Sequence, residues 1–112
     1  MTDCLFCKIR DGEIPADIIY TDDDCLAFRD INPKAPVHFL VIPRRHIENL
    51  FDAIPSDEGL LGRIQLKIPQ IAEEQGLDSG FRTVLNTGPG GYQEVYHMHY
   101  HVLGGGPFTG FN

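Results

Sequence analysis

Five histidines and three cysteines carry most of the chemistry available to this 112-residue chain. Three of the histidines alternate strictly within Val95-Tyr96-His97-Met98-His99-Tyr100-His101-Val102. Period two is the strand period, so His97, His99 and His101 are expected to project from one face, with Tyr96, Met98, Tyr100 and Val102 on the other. On a helix His99 would point away from its neighbours. Three imidazoles on one face are poor core filling, because each brings a donor and an acceptor that need partners when buried. One ion cannot comfortably take all three rings: at a rise of about 3.3 Å per residue His97 and His101 stand about 13 Å apart, against about 2.1 Å from zinc to each nitrogen. Two adjacent rings could share an ion, or one could join a metal while the other two do acid–base or nucleophilic work. The last division suits the chain, since an imidazole with a pKa near 6.5 is both a nucleophile toward phosphorus and a proton donor near neutral pH.

The cysteine count is odd, and the acidic start Met1-Thr2-Asp3 lacks a charged leader and an apolar stretch, which argues against a disulfide framework. Cys4-Leu5-Phe6-Cys7 is a C-x-x-C pair: half of a tetrahedral zinc site, or two small buried residues of a short helix. Cys25, inside a strand-like run, reads as core packing. With 9 Lys plus Arg against 16 Asp plus Glu, the net charge is −7, and such a chain gains nothing from releasing counterions along a polynucleotide. The longest apolar runs, such as Phe39 to Pro43, fall far short of the roughly 20 residues that cross a bilayer. The expectation is one domain over residues 1–112, soluble and cytoplasmic, with neither a nucleic-acid polymer nor a membrane as partner.

The elements that must hold these side chains follow from local punctuation. Leu5 to Asp11 reads as a helical turn or two, stopped by Gly12 and the Ile14-Pro15 step. Asp17 to Thr21, Cys25 to Arg29 and Val37 to Pro43 read as strands, separated by Asp22-Asp23-Asp24 and Asn32-Pro33-Lys34. Ser56 is placed to cap a long helix in which Leu60, Leu61, Ile64, Ile68, Ile71 and Ala72 recur at helical spacing as far as Gly76, with a kink expected between Gln65 and Pro69. Phe81 to Thr87 and Glu94 to Leu103 read as the last strands, separated by the breaker Gly88-Pro89-Gly90-Gly91. Strands, one long helix and further strands make an α+β domain.

The run Gln93 to Gly105 resembles the signature of the histidine triad (HIT) superfamily, and within it the Hint branch of nucleotide-binding phosphoramidases. Phe6-Cys-Lys-Ile, Gly12-Glu-Ile-Pro, Ala27-Phe-Arg-Asp-Ile-Asn-Pro, Ala35-Pro-Val-His-Phe-Leu-Val-Ile-Pro and His46-Ile support it in the family's order, so the likeness spans roughly Cys4 to Gly105. It implies a HIT-like fold: an antiparallel five-stranded meander sheet, one long helix and a short N-terminal helix. It implies hydrolysis of the P–N bond of purine nucleoside 5′-phosphoramidates, with His99 attacking the α-phosphorus to form a nucleotidyl-histidine. His101 would contact phosphate or assist proton transfer to the leaving amine, and backbone N–H groups after Gly91 would meet the phosphate oxygens. Ile14, Phe28 and Ile31 match positions enclosing the base, and Asp30 matches the carboxylate that accepts the ribose hydroxyls. Asn86, Gln93 and Val95 match positions close to the phosphate, and His38 a position beside the triad. A homodimer is implied as well. Some bacterial members bind zinc through residues matching Cys4, Cys7, His46 and His97; a Cys2His2 set of four protein ligands is closed, hence structural rather than catalytic.

Departures from the family pattern bear on the phosphate end. Tyr92 stands where a small glycine is common, its ring either narrowing the site or folding outward. Glu94 replaces a serine that touches phosphate in many animal members, losing a donor and adding a negative charge. Arg29 and the tail Pro107 to Asn112 also differ, and the leaving group therefore stays open. Two alternatives remain beside the phosphoramidase: a dinucleoside polyphosphate hydrolase using the same histidines, and a noncatalytic nucleotide- or zinc-binding adaptor. A metallohydrolase centre on the histidine strand is a third and weaker one.

Overall fold

A computed structural model describes residues 4–110 of the chain; Met1 to Asp3 and the last two residues of the tail lie outside the described residues. Two helices and five strands alternate along it: α1 (Leu5–Arg10), β1 (Ile18–Thr21), β2 (Cys25–Arg29), β3 (Val37–Pro43), α2 (Glu58–Glu74), β4 (Arg82–Val84) and β5 (Tyr100–Gly104). All strand pairs are antiparallel. The order across the sheet is β1-β2-β3-β5-β4, so the first three strands form the expected meander while the last two exchange places. The exchange follows from burial: β5 is almost wholly buried and takes the inner position, whereas the short, mostly exposed β4 suits an edge.

Local chemistry sets the turns. The Asp22 carboxylate accepts the N–H groups of Asp24 and Cys25, closing the β1–β2 turn. After β2, Asp30 accepts the Asn32 N–H and donates its own N–H to the His38 carbonyl, folding the segment between β2 and β3 back over the strand end. At α2 the structure corrects the cap: Pro55–Asp57 forms a 3-10 turn in front of the helix, so Ser56 lies inside that turn. Asp57 takes the anchoring role, accepting the Ile54 N–H and pairing with Arg45. The helix then continues through Pro69 to Glu74. None of the helices among the described residues is long and apolar enough to cross a membrane.

The sheet has two unlike faces, sorted by strand parity. Cys25, Ala27, Phe39, Val41, Met98, Tyr100 and Val102 pack with Ile64, Ile68, Ile71 and Ala72 of α2. On the other face Leu26, Phe28, Leu40 and Ile42 meet Phe6 and Ile9 of α1. This second, thinner layer carries the histidine rings. The strand expected over Glu94 to Leu103 is only half formed: β5 begins at Tyr100, and Phe81 to Thr87 likewise contracts to β4. The reason lies in the partners. Both β3 and β4 stop pairing with β5 at Tyr100 and His101, and upstream the chain is held by other bonds, among them Met98 N–H to the Ile47 carbonyl at 2.7 Å. The alternation survives, since Met98 and Tyr100 lie beneath α2 while Phe6 of α1 meets both His97 and His99 edge-on, with ring centroids 6.1 and 5.1 Å away.

Candidate active site

Hydrogen bonds assign a protonation state to each ring, because a carbonyl can only accept and a backbone N–H can only donate. His99 Nδ1 lies 2.8 Å from the His97 carbonyl, so Nδ1 carries the hydrogen and Nε2 keeps the free lone pair. His38 Nδ1 accepts the Lys34 N–H at 3.0 Å, which places the His38 hydrogen on Nε2. That nitrogen is 2.9 Å from His101 Nδ1 and 3.4 Å from Asp30 Oδ2. His101 therefore accepts at Nδ1 and carries its hydrogen on Nε2. The two neighbouring rings, with centroids 5.0 Å apart, thus hold opposite roles: His99 a lone pair, His101 a proton. Sequence reasoning noticed His38 only through the family likeness; the Lys34 N–H that orients it leaves no mark on side-chain type.

Burial keeps these rings neutral. It lowers the His99 and His38 pKa values, partly opposed by the His97 carbonyl and by Asp30 respectively. Burial, reinforced by the neighbouring His99 and His38 rings, lowers His101 to about 4. A neutral imidazole at ordinary pH is the form that attacks an electrophile.

The rings open on a cavity of about 450 Å3. Its lining includes the apolar Leu5, Phe6 and Ile9 of α1 with Ile14, Phe28, Leu40 and Val95, and the polar Asn86, Tyr92, Glu94, His99 and His101. Asp30 and Ile31 lie on its wall, Ile31 at the rim with 89% of its surface exposed. Of the residues the family likeness assigns to a nucleotide, Ile14, Phe28, Asp30, Ile31, Asn86, Val95, His99 and His101 all line this cavity. Gln93 does not. Its buried carboxamide donates to the Glu48 and Val95 carbonyls and accepts from Asn49 Nδ2 and the Gly88 N–H. Gln93 therefore frames the loop in front of the triad, with every polar atom of its amide spent inside the protein. Asn49, its buried partner, went unnoticed in the sequence because a lone asparagine there resembles any turn residue.

The loop after Asn86 is tight. Asn86 Nδ2 donates to the Gly91 carbonyl, and the N–H groups of Tyr92 and Gln93 turn back to Pro89 and Gly88. Those two amides are consequently spent; among the described residues no hydrogen bond engages the next two, Glu94 and Val95, which are the ones left for an anion. Tyr92 has a left-handed backbone, φ 61°, and is 86% exposed, so its ring stands outward at the rim and leaves the site open.

Behind His97 lies a second cluster. His97 Nε2 donates to the Pro43 carbonyl at 2.8 Å, leaving Nδ1 with its lone pair directed at Cys4, Cys7 and His46. Zinc bonded at about 2.3 Å to sulfur and 2.0–2.1 Å to nitrogen sets tetrahedral ligand atoms roughly 3.3–3.8 Å apart. Here His97 Nδ1 stands 3.4 Å from Cys4 Sγ, 3.6 Å from Cys7 Sγ and 3.2 Å from His46 Nδ1, and Cys7 Sγ is 3.5 Å from His46 Nδ1. The donor set and its spacing fit one tetrahedral ion. Cys4 also caps α1, its sulfur accepting the Cys7 N–H. Asp30, His38 and His101 are equally close, but there the two rings are already joined to each other by a hydrogen bond. Cys25 takes no part: it is fully buried under α2, and burial pushes its thiol up to about 12.

A sheet that sets two neutral imidazoles in opposite tautomers on a partly apolar cavity defines a class of small α+β proteins with a free imidazole lone pair beside an N–H donor. Comparison with known proteins narrows that class. A family model for the C-terminal binding region of the scavenger mRNA decapping enzyme matches residues 3–109. An uncharacterised HIT-like protein of Synechococcus elongatus is 56% identical over 103 residues, covering 92% of this chain and 90% of the relative. A HIT family hydrolase of Legionella pneumophila superposes with a TM-score of 0.91 at 48% identity, covering 96% of each chain. A histidine triad nucleotide-binding protein of Candida albicans superposes with a TM-score of 0.80 at 31% identity, covering 98% of this chain and 87% of that one. The chain belongs to the histidine triad superfamily.

Proposed function

We propose that this HIT-family hydrolase cleaves the P–N bond of purine nucleoside 5′-phosphoramidates. The observation that carries the reading is the opposed state of two adjacent rings, a free lone pair on His99 Nε2 and a hydrogen on His101 Nε2. In the first step His99 Nε2 bonds to phosphorus and the P–N bond breaks; the leaving nitrogen keeps the bonding pair and takes a proton from solvent water, while the neutral His101 Nε2–H donates a hydrogen bond to it. In the second step water bonds to phosphorus, its proton returns to solvent, and the His99–phosphorus bond breaks to release the nucleoside monophosphate. The His97 carbonyl stabilises the positive charge that His99 gains while bonded. Glu94 and Val95 N–H groups receive the phosphate oxygens, the apolar wall of Phe28 and Ile14 the base, and Asp30 the ribose.

Cys4, Cys7, His46 and His97 would hold one zinc ion in a closed site. When bound, the ion supplies cross-linking of α1 to the triad segment and no reactive position. A homodimer belongs to the same reading, supported by the exposed apolar residues Phe81, just before the edge strand β4, and Val84 within it, and by Leu66 on α2.

The test is turnover of adenosine 5′-phosphoramidate by wild type and His99→Ala. The expected result is a loss of more than about a thousandfold with the fold intact, and an acid-labile nucleotide on the wild-type protein in a rapid quench. Turnover retained in the variant defeats the reading. Cleavage of dinucleoside polyphosphates in preference to phosphoramidates would move the substrate to the P–O–P class.

A further inference from the structure

The rim of the cavity carries a carboxylate that the phosphoryl reaction does not call for. Glu94 lines the cavity beside Asn86, His99 and His101, and no hydrogen bond or ion pair holds its carboxylate among the described residues. The other cavity carboxylate, Asp30, accepts the Asn32 N–H and sits 3.4 Å from His38. Of the cavity cations, Arg29 Nε lies 2.9 Å from Asp17, while Lys34 Nζ donates to the Asn32 carbonyl at 3.2 Å and keeps its charge on the Asp30 side. Glu94 is thus an exposed carboxylate without an ion-pair partner, on the lining of the same cavity as His99 and His101.

Geometry tells which part of a substrate meets this charge. His99 is 6% exposed, at the floor of the site, and displacement at phosphorus runs in line, so the departing group points away from His99 toward the open rim. The base occupies the apolar side. Exposed Tyr92 and Glu94, next-but-one neighbours in the loop before His99, are the cavity-lining residues we assign to the departing group.

Resting on the phosphoramidase reading above, we propose that Glu94 selects the leaving group, favouring amines that carry a second, cationic group and disfavouring anionic ones such as a phosphate chain. The bond changes are those of the first step: the P–N bond breaks, the amine nitrogen keeps the pair and takes a proton from solvent water beside the His101 Nε2–H, and the second cation is a recognition element only. The Tyr92 ring offers that cation an aromatic face. The same charge disfavours a polyphosphate leaving group without any steric block.

The experiment measures kcat/KM for three adenosine 5′-phosphoramidates, of propylamine, of propylamine ending in a trimethylammonium group, and of propylamine ending in a carboxylate, with wild type and Glu94→Gln. A carboxylate several ångströms from the second charge in a solvent-rich setting is worth a rate ratio of about fivefold. The cationic-to-neutral ratio is expected to fall about fivefold in Glu94→Gln and the anionic-to-neutral ratio to rise. In wild type both ratios should move toward unity at about 1 M salt, where the Debye length is about 3 Å. Ratios that Glu94→Gln leaves unchanged, while the neutral substrate is still consumed, overturn the inference and leave the reaction standing. Failure of wild type to consume any of the three overturns the underlying reaction.

Discussion

Replacing Gln93 with leucine separates a framing role from a ligand contact. The side chain is 6% exposed and makes four hydrogen bonds, to the Glu48 and Val95 carbonyls, Asn49 Nδ2 and the Gly88 N–H. Leucine of similar length fills the space and leaves all four partners without their bond. At about 1 kcal/mol for each lost bond, less about 1 kcal/mol regained from apolar burial, the variant should be destabilised by roughly 3 kcal/mol. For a chain of this size that lowers Tm by roughly 10–20 °C, yet leaves a folded population because small domains hold about 5–15 kcal/mol. Urea denaturation followed by circular dichroism reads the first number, and titration with adenosine monophosphate below the transition reads whether the cavity persists. A variant that keeps wild-type stability but no longer binds the nucleotide would refute the framing argument, since the carboxamide would then be serving the ligand.

Other consequences are equally direct. The His101 ring stays neutral down to about 4 in the folded state but takes up a proton near 6.5 when unfolded. The unfolded chain therefore binds more protons in that interval, and stability present above 6.5 is lost as pH falls, by about 1.4 kcal/mol per pH unit for each such ring. His101→Asn should flatten the slope between pH 6.5 and 5 by about one proton in denaturation curves, and an unchanged slope would count against a buried neutral ring. Chelation of the metal-loaded protein should release one equivalent of zinc and lower Tm, while Cys7→Ser should bind none by elemental analysis; one tightly held equivalent retained in that variant would rule out the Cys2His2 site. A Cβ on Gly104 would lie 2.6 Å from Leu77 Cδ2, and Leu77 is buried, so Gly104→Ala should cost about 1–3 kcal/mol, with much of it restored by adding Leu77→Ala. Additive losses in that double variant would deny the contact.

What the amino-acid order determined is the part governed by short-range geometry. Alternation in His97-Met98-His99-Tyr100-His101 put the rings on the face away from α2 whether or not every residue joined a ladder, because side-chain direction depends on extended backbone alone. The spacing of Ile64, Ile68, Ile71 and Ala72 likewise named the buried stripe of α2. Tertiary structure decided the rest. The strand begins only at Tyr100, since a ladder needs a partner and β3 and β4 supply one no further upstream. Gln93 turns inward because Asn49, Glu48 and Gly88 happen to surround it, and nothing in its neighbours along the chain announces them. Cys4 and Cys7 meet His97 across about ninety residues only when α1 docks on the sheet. The protons on the working rings are assigned by the Lys34 N–H and the His97 carbonyl, backbone groups that every residue possesses; only folding chooses which of them an imidazole will face.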